Sequence, residues 1–169
     1  GRVVGLAVTV LGVVYVAGLG IHILWLRNLP HGAMLLLLTL LGTWAADVFA
    51  FFIGVRWGRR KLAPQISPGK TVEGVVAGVL GAGAVTAAAA ALLPDCPVPW
   101  PTAAGVGVAL GAAAPIGDLL ESLFKRCFGA KDASRVIPGH GGVLDRIDSV
   151  LFTAPVAYVF FRFLVPNAG

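Results

Sequence analysis

The chain has 169 residues, of which 57% are hydrophobic and 12% charged, with a mean hydropathy of +0.88 and a formal net charge of +5. Soluble globular domains run at about 45–50% apolar residues, so this composition excludes an ordinary soluble fold. The excess of basic residues is set in no soluble recognition module, so nucleic acid is not an expected partner.

About 20 consecutive apolar residues cross the hydrocarbon core of a bilayer as a helix. Five such runs are predicted, at Val3–Leu26, Ala33–Val55, Val72–Leu93, Thr102–Glu121 and Ser149–Val165. They are continuously apolar rather than alternating, which disfavours a β-barrel. Most connections are short, so residues 1–169 read as one all-α, polytopic transmembrane bundle with a polar catalytic loop. The first run is too long for the core of a signal peptide and no small-residue cleavage site follows it, so it reads as an anchor. Because the chain opens on Gly1, it is read as shortened at its N-terminus, and five spans are then a minimum.

The second run contains Asp47. An isolated acid within a span is a functional or helix-pairing residue by default, and the sequence does not separate the two. His22 and His31 read as interfacial residues rather than ligands. The connection that follows includes Ser67-Pro68-Gly69-Lys70-Thr71. A P-loop would require Gly where Pro64 stands and a preceding strand, so this is not a Walker motif. A lysine and two hydroxyls at a helix start still fit a phosphate contact; the plainer reading is a turn and an N-cap, with Glu73 contributing to capping.

Gly74–Gly78 and Gly107–Gly111 are both GxxxG pairs. They fit close helix packing inside one chain, with a homodimer face as the alternative. Cys96 and Cys127 stand in no metal-ligand spacing.

The fourth run ends on Asp118, Glu121, Ser122 and Lys125, which fall on one helical face. An acid near the bilayer centre costs roughly 2.5–3.5 kcal/mol on insertion scales. A Glu121–Lys125 pair capping the span explains Glu121 but leaves Asp118, which favours a functional reading. Between Ser122 and Ser149 the sequence packs eight charges into 28 residues around Pro138-Gly139-His140-Gly141-Gly142. Clustered bases, carboxylates and a glycine-rich turn suit phosphate and a hard divalent cation. Asp145 and Asp148 share a face at the start of the fifth run. Carboxylates are favoured in any first helical turn, but two of them, opposite another acidic helix end, point to oxygen ligands for Mg²⁺. With no Cys or His cluster, zinc is not expected.

If the first residue is cytoplasmic, Arg2, Arg56, Arg59, Arg60, Lys61, Lys70, Lys125, Arg126, Lys131, Arg135 and Arg146 lie inside, and Arg27 and Arg162 alone lie outside. This split orients the chain by the positive-inside rule. It predicts a multi-pass protein of the cell's inner membrane with its polar site on the cytoplasmic face, where anionic lipid headgroups or nucleotides meet the positive charge.

Taken in order, these blocks resemble the CDP-diacylglycerol synthase (phosphatidate cytidylyltransferase) family. Its signature runs Ser-x-x-Lys-Arg, four residues, Lys-Asp, then Pro-x-His-Gly-Gly-x-x-Asp-Arg-x-Asp. Here it reads Ser122 to Arg126, Lys131-Asp132, Pro138 to Gly142, and Asp145-Arg146-Ile147-Asp148. Ser67 to Gly74 and Gly117 to Ser122 resemble two further blocks, so the likeness covers about residues 41–163. Val48 stands where the family usually has a small hydroxyl residue, and Val72 where Trp is common.

The resemblance implies transfer of the cytidylyl group of CTP to phosphatidic acid, giving CDP-diacylglycerol and pyrophosphate, with Mg²⁺ and room for a second cation. It implies Asp118 and Asp145 as metal ligands, with Asp148 and Glu121 as further or supporting ones. Lys70, Lys125, Arg126, Lys131 and Arg146 would neutralise phosphates. Ser67, Thr71 and Ser122 would contact substrate, and the loop of His140, Gly141 and Gly142 would close over it. The alternatives are a related lipid kinase, a synthase of CDP-ether lipids, or an ion-coupled transporter using Asp47, Asp118 and Glu121.

Overall fold

The structure, a computed structural model, describes residues 2–127 and 144–165. These form five helices and one small hairpin: α1 (Arg2–Arg27), α2 (Gly32–Trp57), β1 (Lys61–Ala63), β2 (Ser67–Thr71), α3 (Val72–Leu92), α4 (Trp100–Cys127) and α5 (Leu144–Leu164). Among the described residues, four stretches are long and apolar enough to cross a membrane: Thr9–Arg27 within α1, all of α2 and α3, and Trp100–Phe124 within α4. The expected fifth span, Ser149–Val165, forms as the helix α5.

Small residues decide which helices touch. A Cβ on Gly78 would lie 2.7 Å from the Ala46 carbonyl oxygen, and one on Gly74 2.6 Å from that of Ala50, so α3 packs antiparallel on α2 almost backbone to backbone. A Cβ on Gly107 would meet the Ala82 carbonyl oxygen at 2.6 Å, which joins α4 to α3 in the same way. Both GxxxG pairs are therefore consumed inside the chain.

The apolar core gathers at the Arg27 end of the bundle, where Leu26, Leu35, Leu38, Val106, Leu110 and Phe161 are fully or almost fully buried. Below it, buried hydroxyls take over. Thr43 donates to the Thr39 carbonyl at 2.8 Å and lies 2.8 Å from the Thr153 hydroxyl, tying α2 to α5. The opposite end, near Lys70, is polar and holds the site.

The hairpin there was not anticipated. β1 and β2 pair antiparallel, Lys61 opposite Thr71 and Ala63 opposite Ser67. Thr71 then caps α3 as expected, its hydroxyl accepting the Gly74 N–H at 3.2 Å. Glu73 sits in the first turn of α3, where its own backbone N–H favours its carboxylate, and it also reaches a second helix end. Its carboxylate accepts the backbone N–H groups of Arg59 and Arg60, at 3.1 Å each, just past the end of α2. Those donors have left the helical ladder and need an acceptor, and the fold of the hairpin brings Glu73 to them.

Candidate active site

A cavity of about 510 Å³ opens between α2, the hairpin, α3, α4 and the start of α5. Its charged lining is Asp47 from α2, Lys70 from β2, Asp118 from α4 and Asp148 from α5, with Ser67, Thr71 and Ser149 adding hydroxyls. Residues 48 apart in sequence meet where Lys70 Nζ reaches Asp118 Oδ2 at 2.5 Å. The ammonium is shielded from solvent, whereas the Asp118 side chain remains 37% exposed to the cavity. One turn further along α4, Ser122 donates to the other Asp118 oxygen over a long 3.5 Å. Across the cavity Ser149 makes an equally long contact, 3.5 Å, with Asp47 Oδ1. Asp148 Oδ1 accepts the Ser149 N–H at 2.7 Å.

Five of the residues singled out from the sequence thus line one cavity: Ser67, Lys70, Thr71, Asp118 and Asp148. Ser122 touches the cavity through Asp118. Glu121 is 3% exposed, on a buried face of α4 and off the cavity lining. Arg126 is exposed near the end of the same helix. Asp145 and Arg146 lie in the first turn of α5 and Lys125 in the last turns of α4, but their side chains lie outside the described residues, as do Lys131, His140, Gly141 and Gly142 altogether.

Two further residues belong to the picture. Asp47, whose part the sequence left open, is a wall of this cavity. Pro115 also lines it; having no N–H, it leaves the carbonyl of Gly111, another lining residue, without its usual helical donor. A proline inside a span was the available signal for that. His22 and His31 stay away from the site, in keeping with the interfacial reading: His22 Nδ1 sits 3.0 Å from the Gly18 carbonyl oxygen, and the ring packs edge-on against Trp25.

Asp47, Asp118 and Asp148 face one cavity, with Lys70 paired to Asp118, and oxygen donors of this kind are the type that Mg²⁺ would use. Among the described residues no three such groups converge as a ready-made cage. Mg²⁺ does not require one, since it is usually held by one or two carboxylates, several waters and substrate phosphates. An all-oxygen donor set on a cavity open enough for a substrate fits that pattern.

Fold and site together define a polytopic helical membrane protein with an acidic and basic cavity suited to phosphate chemistry. The sequence model of the cytidylyltransferase family matches residues 2–164, and the chain belongs to that family. It is 39% identical over 137 residues to the phosphatidate cytidylyltransferase of Thermotoga maritima, covering 79% of this chain and 51% of that protein. It is 43% identical over 144 residues to the enzyme of the same name from Synechocystis, covering 83% of this chain and 47% of the relative. An uncharacterized Escherichia coli protein, YnbB, is 40% identical over 147 residues, covering 84% and 49%. The chain spans about half the length of the curated relatives it matches.

Proposed function

We propose that this chain carries the reaction centre of an enzyme that transfers the cytidylyl group of CTP to phosphatidic acid, releasing pyrophosphate. The observation that carries the reading is the meeting of Lys70, Asp47, Asp118 and Asp148 around one cavity in a chain of this family. The names of the relatives from Thermotoga and Synechocystis support the same reaction.

A phosphate monoester has its second ionisation near pH 6, so the lipid phosphate is largely a dianion at neutral pH and needs no strong base to attack. Its oxygen bonds to the α-phosphorus of CTP as the bond from that phosphorus to the β-phosphate bridging oxygen breaks. The electron pair leaves with pyrophosphate. What the step requires is alignment and neutralisation of charge.

Lys70 is placed to meet a phosphate oxygen once it turns from Asp118. Thr71, Ser67 and the start of α3 offer further donors beside it. Mg²⁺, with room for a second cation, would be held by Asp118 and Asp148, with Asp145 one turn earlier on α5, and would neutralise the developing charge. Asp47 faces the same space from α2. The orientation proposed for the whole protein puts this end of the bundle on the cytoplasmic face of the inner membrane, where CTP is available. Assembly as a homodimer is compatible with the reading, through faces other than the GxxxG pairs.

The test is incubation of radiolabelled CTP with membranes containing the full-length protein and phosphatidic acid. Label should pass into a lipid product with release of pyrophosphate. CTP turnover with a lipid alcohol but not with phosphatidic acid would move the reading to a lipid kinase. Ion uptake without any nucleotide turnover would move it to a transporter.

A further inference from the structure

Lys70 meets Asp118 from a hairpin too small to hold its own shape. β1 is three residues long, and it pairs with β2 at Lys61 opposite Thr71 and at Ala63 opposite Ser67, with a shift of register between the two. A two-stranded hairpin by itself is marginal at best in water. The position of Lys70 therefore depends on what ties the base of the hairpin to the helices.

Ties of different kinds meet there. The Val72 N–H donates to the Arg60 carbonyl at 2.9 Å. Thr71, buried and capping α3, packs on the end of α2, where a Cβ on Gly58 would lie 2.6 Å from its hydroxyl oxygen and from its methyl group. The Glu73 carboxylate supplies the remaining tie. It accepts the Arg59 N–H at 3.1 Å, and the Arg60 N–H at 3.1 Å to one oxygen and 3.2 Å to the other. Arg59 and Arg60 lead directly into β1, and β1 covers the edge of β2. Lys70 comes just before Thr71, so its strand can pivot about that residue unless β1 stays in place.

We infer that Glu73 is a positioning residue for Lys70. By holding Arg59 and Arg60 it fixes β1 along β2, and so keeps the ammonium in the cavity, against Asp118 and ready for a phosphate oxygen. The consequence for activity rests on the part given to Lys70 in the proposed reaction.

The test uses the full-length protein in lipid nanodiscs and two readouts. One is acetylation by an amine-reactive ester, followed peptide by peptide by mass spectrometry. Lys70 Nζ is shielded, whereas Lys61 is exposed and serves as the internal reference. The other readout is formation of CDP-diacylglycerol. Glu73→Ala should raise acetylation of Lys70 relative to Lys61 several-fold. It should lower activity by about 10²-fold, as a misplacement of roughly 1 Å can. Glu73→Gln keeps an amide oxygen that can accept both N–H groups, and should restore most of the shielding and activity. Glu73→Asp keeps the charge in the first turn of α3 but shortens the reach, and should resemble Glu73→Ala. In a Lys70→Gln background, Glu73→Ala should cost much less than in the wild type, because both act through one group.

Wild-type shielding of Lys70 in Glu73→Ala would overturn the inference and leave the proposed reaction intact. So would normal behaviour of Glu73→Asp together with loss in Glu73→Gln, which would make the charge at the helix start the feature that matters. A full loss on top of Lys70→Gln would also overturn it. If the unaltered protein forms no CDP-diacylglycerol, the proposed reaction falls, and acetylation still decides whether Glu73 places Lys70.

Discussion

Lys70 on the hairpin and Asp118 on α4 form an ion pair of 2.5 Å across the mouth of the cavity, joining two segments that the sequence keeps far apart. Both side chains retain some exposure, 19% and 37%, and a pair of that kind contributes only about 0–1 kcal/mol to stability. Its value lies in where it holds the ammonium. Lys70→Gln should therefore leave the yield and thermal midpoint of the full-length protein nearly unchanged. Formation of CDP-diacylglycerol should fall by about 10²–10³-fold, the usual loss of a donor to developing charge. Lys70→Gln combined with Asp118→Asn should cost far less than the product of the two single effects, since the groups share one site. A large drop in thermal stability with activity per folded molecule preserved would mean that the pair is structural.

Much of this was legible beforehand. The spans Ala33–Val55 and Val72–Leu93 are found as Gly32–Trp57 and Val72–Leu92, because continuous apolar runs bounded by charge leave little choice. The fourth apolar run stops at Glu121, yet α4 continues to Cys127. Hydropathy reports depth in a membrane, whereas Leu, Lys and Arg are good helix formers and carry the helix on. The hairpin was hidden because Pro64 and Pro68-Gly69 read as turns, and strand pairing is a contact between segments. The part played by Asp47 was hidden for the same reason: its neighbours Asp118 and Ser149 are distant in sequence and meet it only once α2, α4 and α5 have packed.

Asp47 gives the next prediction. It lines the cavity, and its described contact is the long one to Ser149. Removing its charge while keeping its shape should act on function rather than folding. Asp47→Asn should lower activity about 10–100-fold, as expected for a group that shapes a cation site from its edge. The apparent Mg²⁺ requirement should rise. Ser149→Ala should have a smaller effect in the same direction. Unchanged activity in Asp47→Asn would reduce the residue to a helix-pairing role.

Close packing of α2 on α3 sets the cavity width, so it can be tested at a distance from the chemistry. Gly78 has no room for a side chain against the Ala46 carbonyl oxygen, 2.7 Å from a Cβ. Gly78→Ala should destabilise the fold by about 1–3 kcal/mol, the usual cost of overpacking. Activity should fall as well, since Ala46 adjoins Asp47. Gly105→Ala on α4 is the matched comparison: nothing lies within 4 Å of a Cβ there. It should be neutral or slightly stabilising, because alanine favours the helix. Thermal midpoints of the two variants in one detergent check this.

Orientation is open to chemical labelling. Eleven of the thirteen Lys and Arg residues fall on the side assigned to the cytoplasm, and the Lys70 end of the bundle carries the cavity. In a background without Cys96 and Cys127, cysteine placed at Lys61 should react only when reagent reaches the inner face. Cysteine at Asp95, in the connection between α3 and α4, should react from outside intact cells. The reverse pattern would contradict both the orientation and the use of cytoplasmic CTP.

The acids of α4 and α5 allow the most direct test of the chemistry. Asp118 and Asp148 face one cavity from two helices, with Asp145 one turn before Asp148 on α5. Asparagine keeps the size of each side chain and removes the charge that a hard cation requires. Asp118→Asn, Asp145→Asn and Asp148→Asn should each nearly abolish CDP-diacylglycerol formation at normal protein levels, with only partial recovery in excess Mg²⁺. Asp95→Asn supplies the control. Asp95 sits away from the cavity in a left-handed conformation, φ 57°, which asparagine also tolerates, so that variant should be nearly silent in both folding and activity. Near-wild-type activity in the Asp118 and Asp145 variants would remove the cation from the site. The carboxylates would then serve only to favour helix ends, through the dipole at the start of α5 and the Lys70 pair on α4.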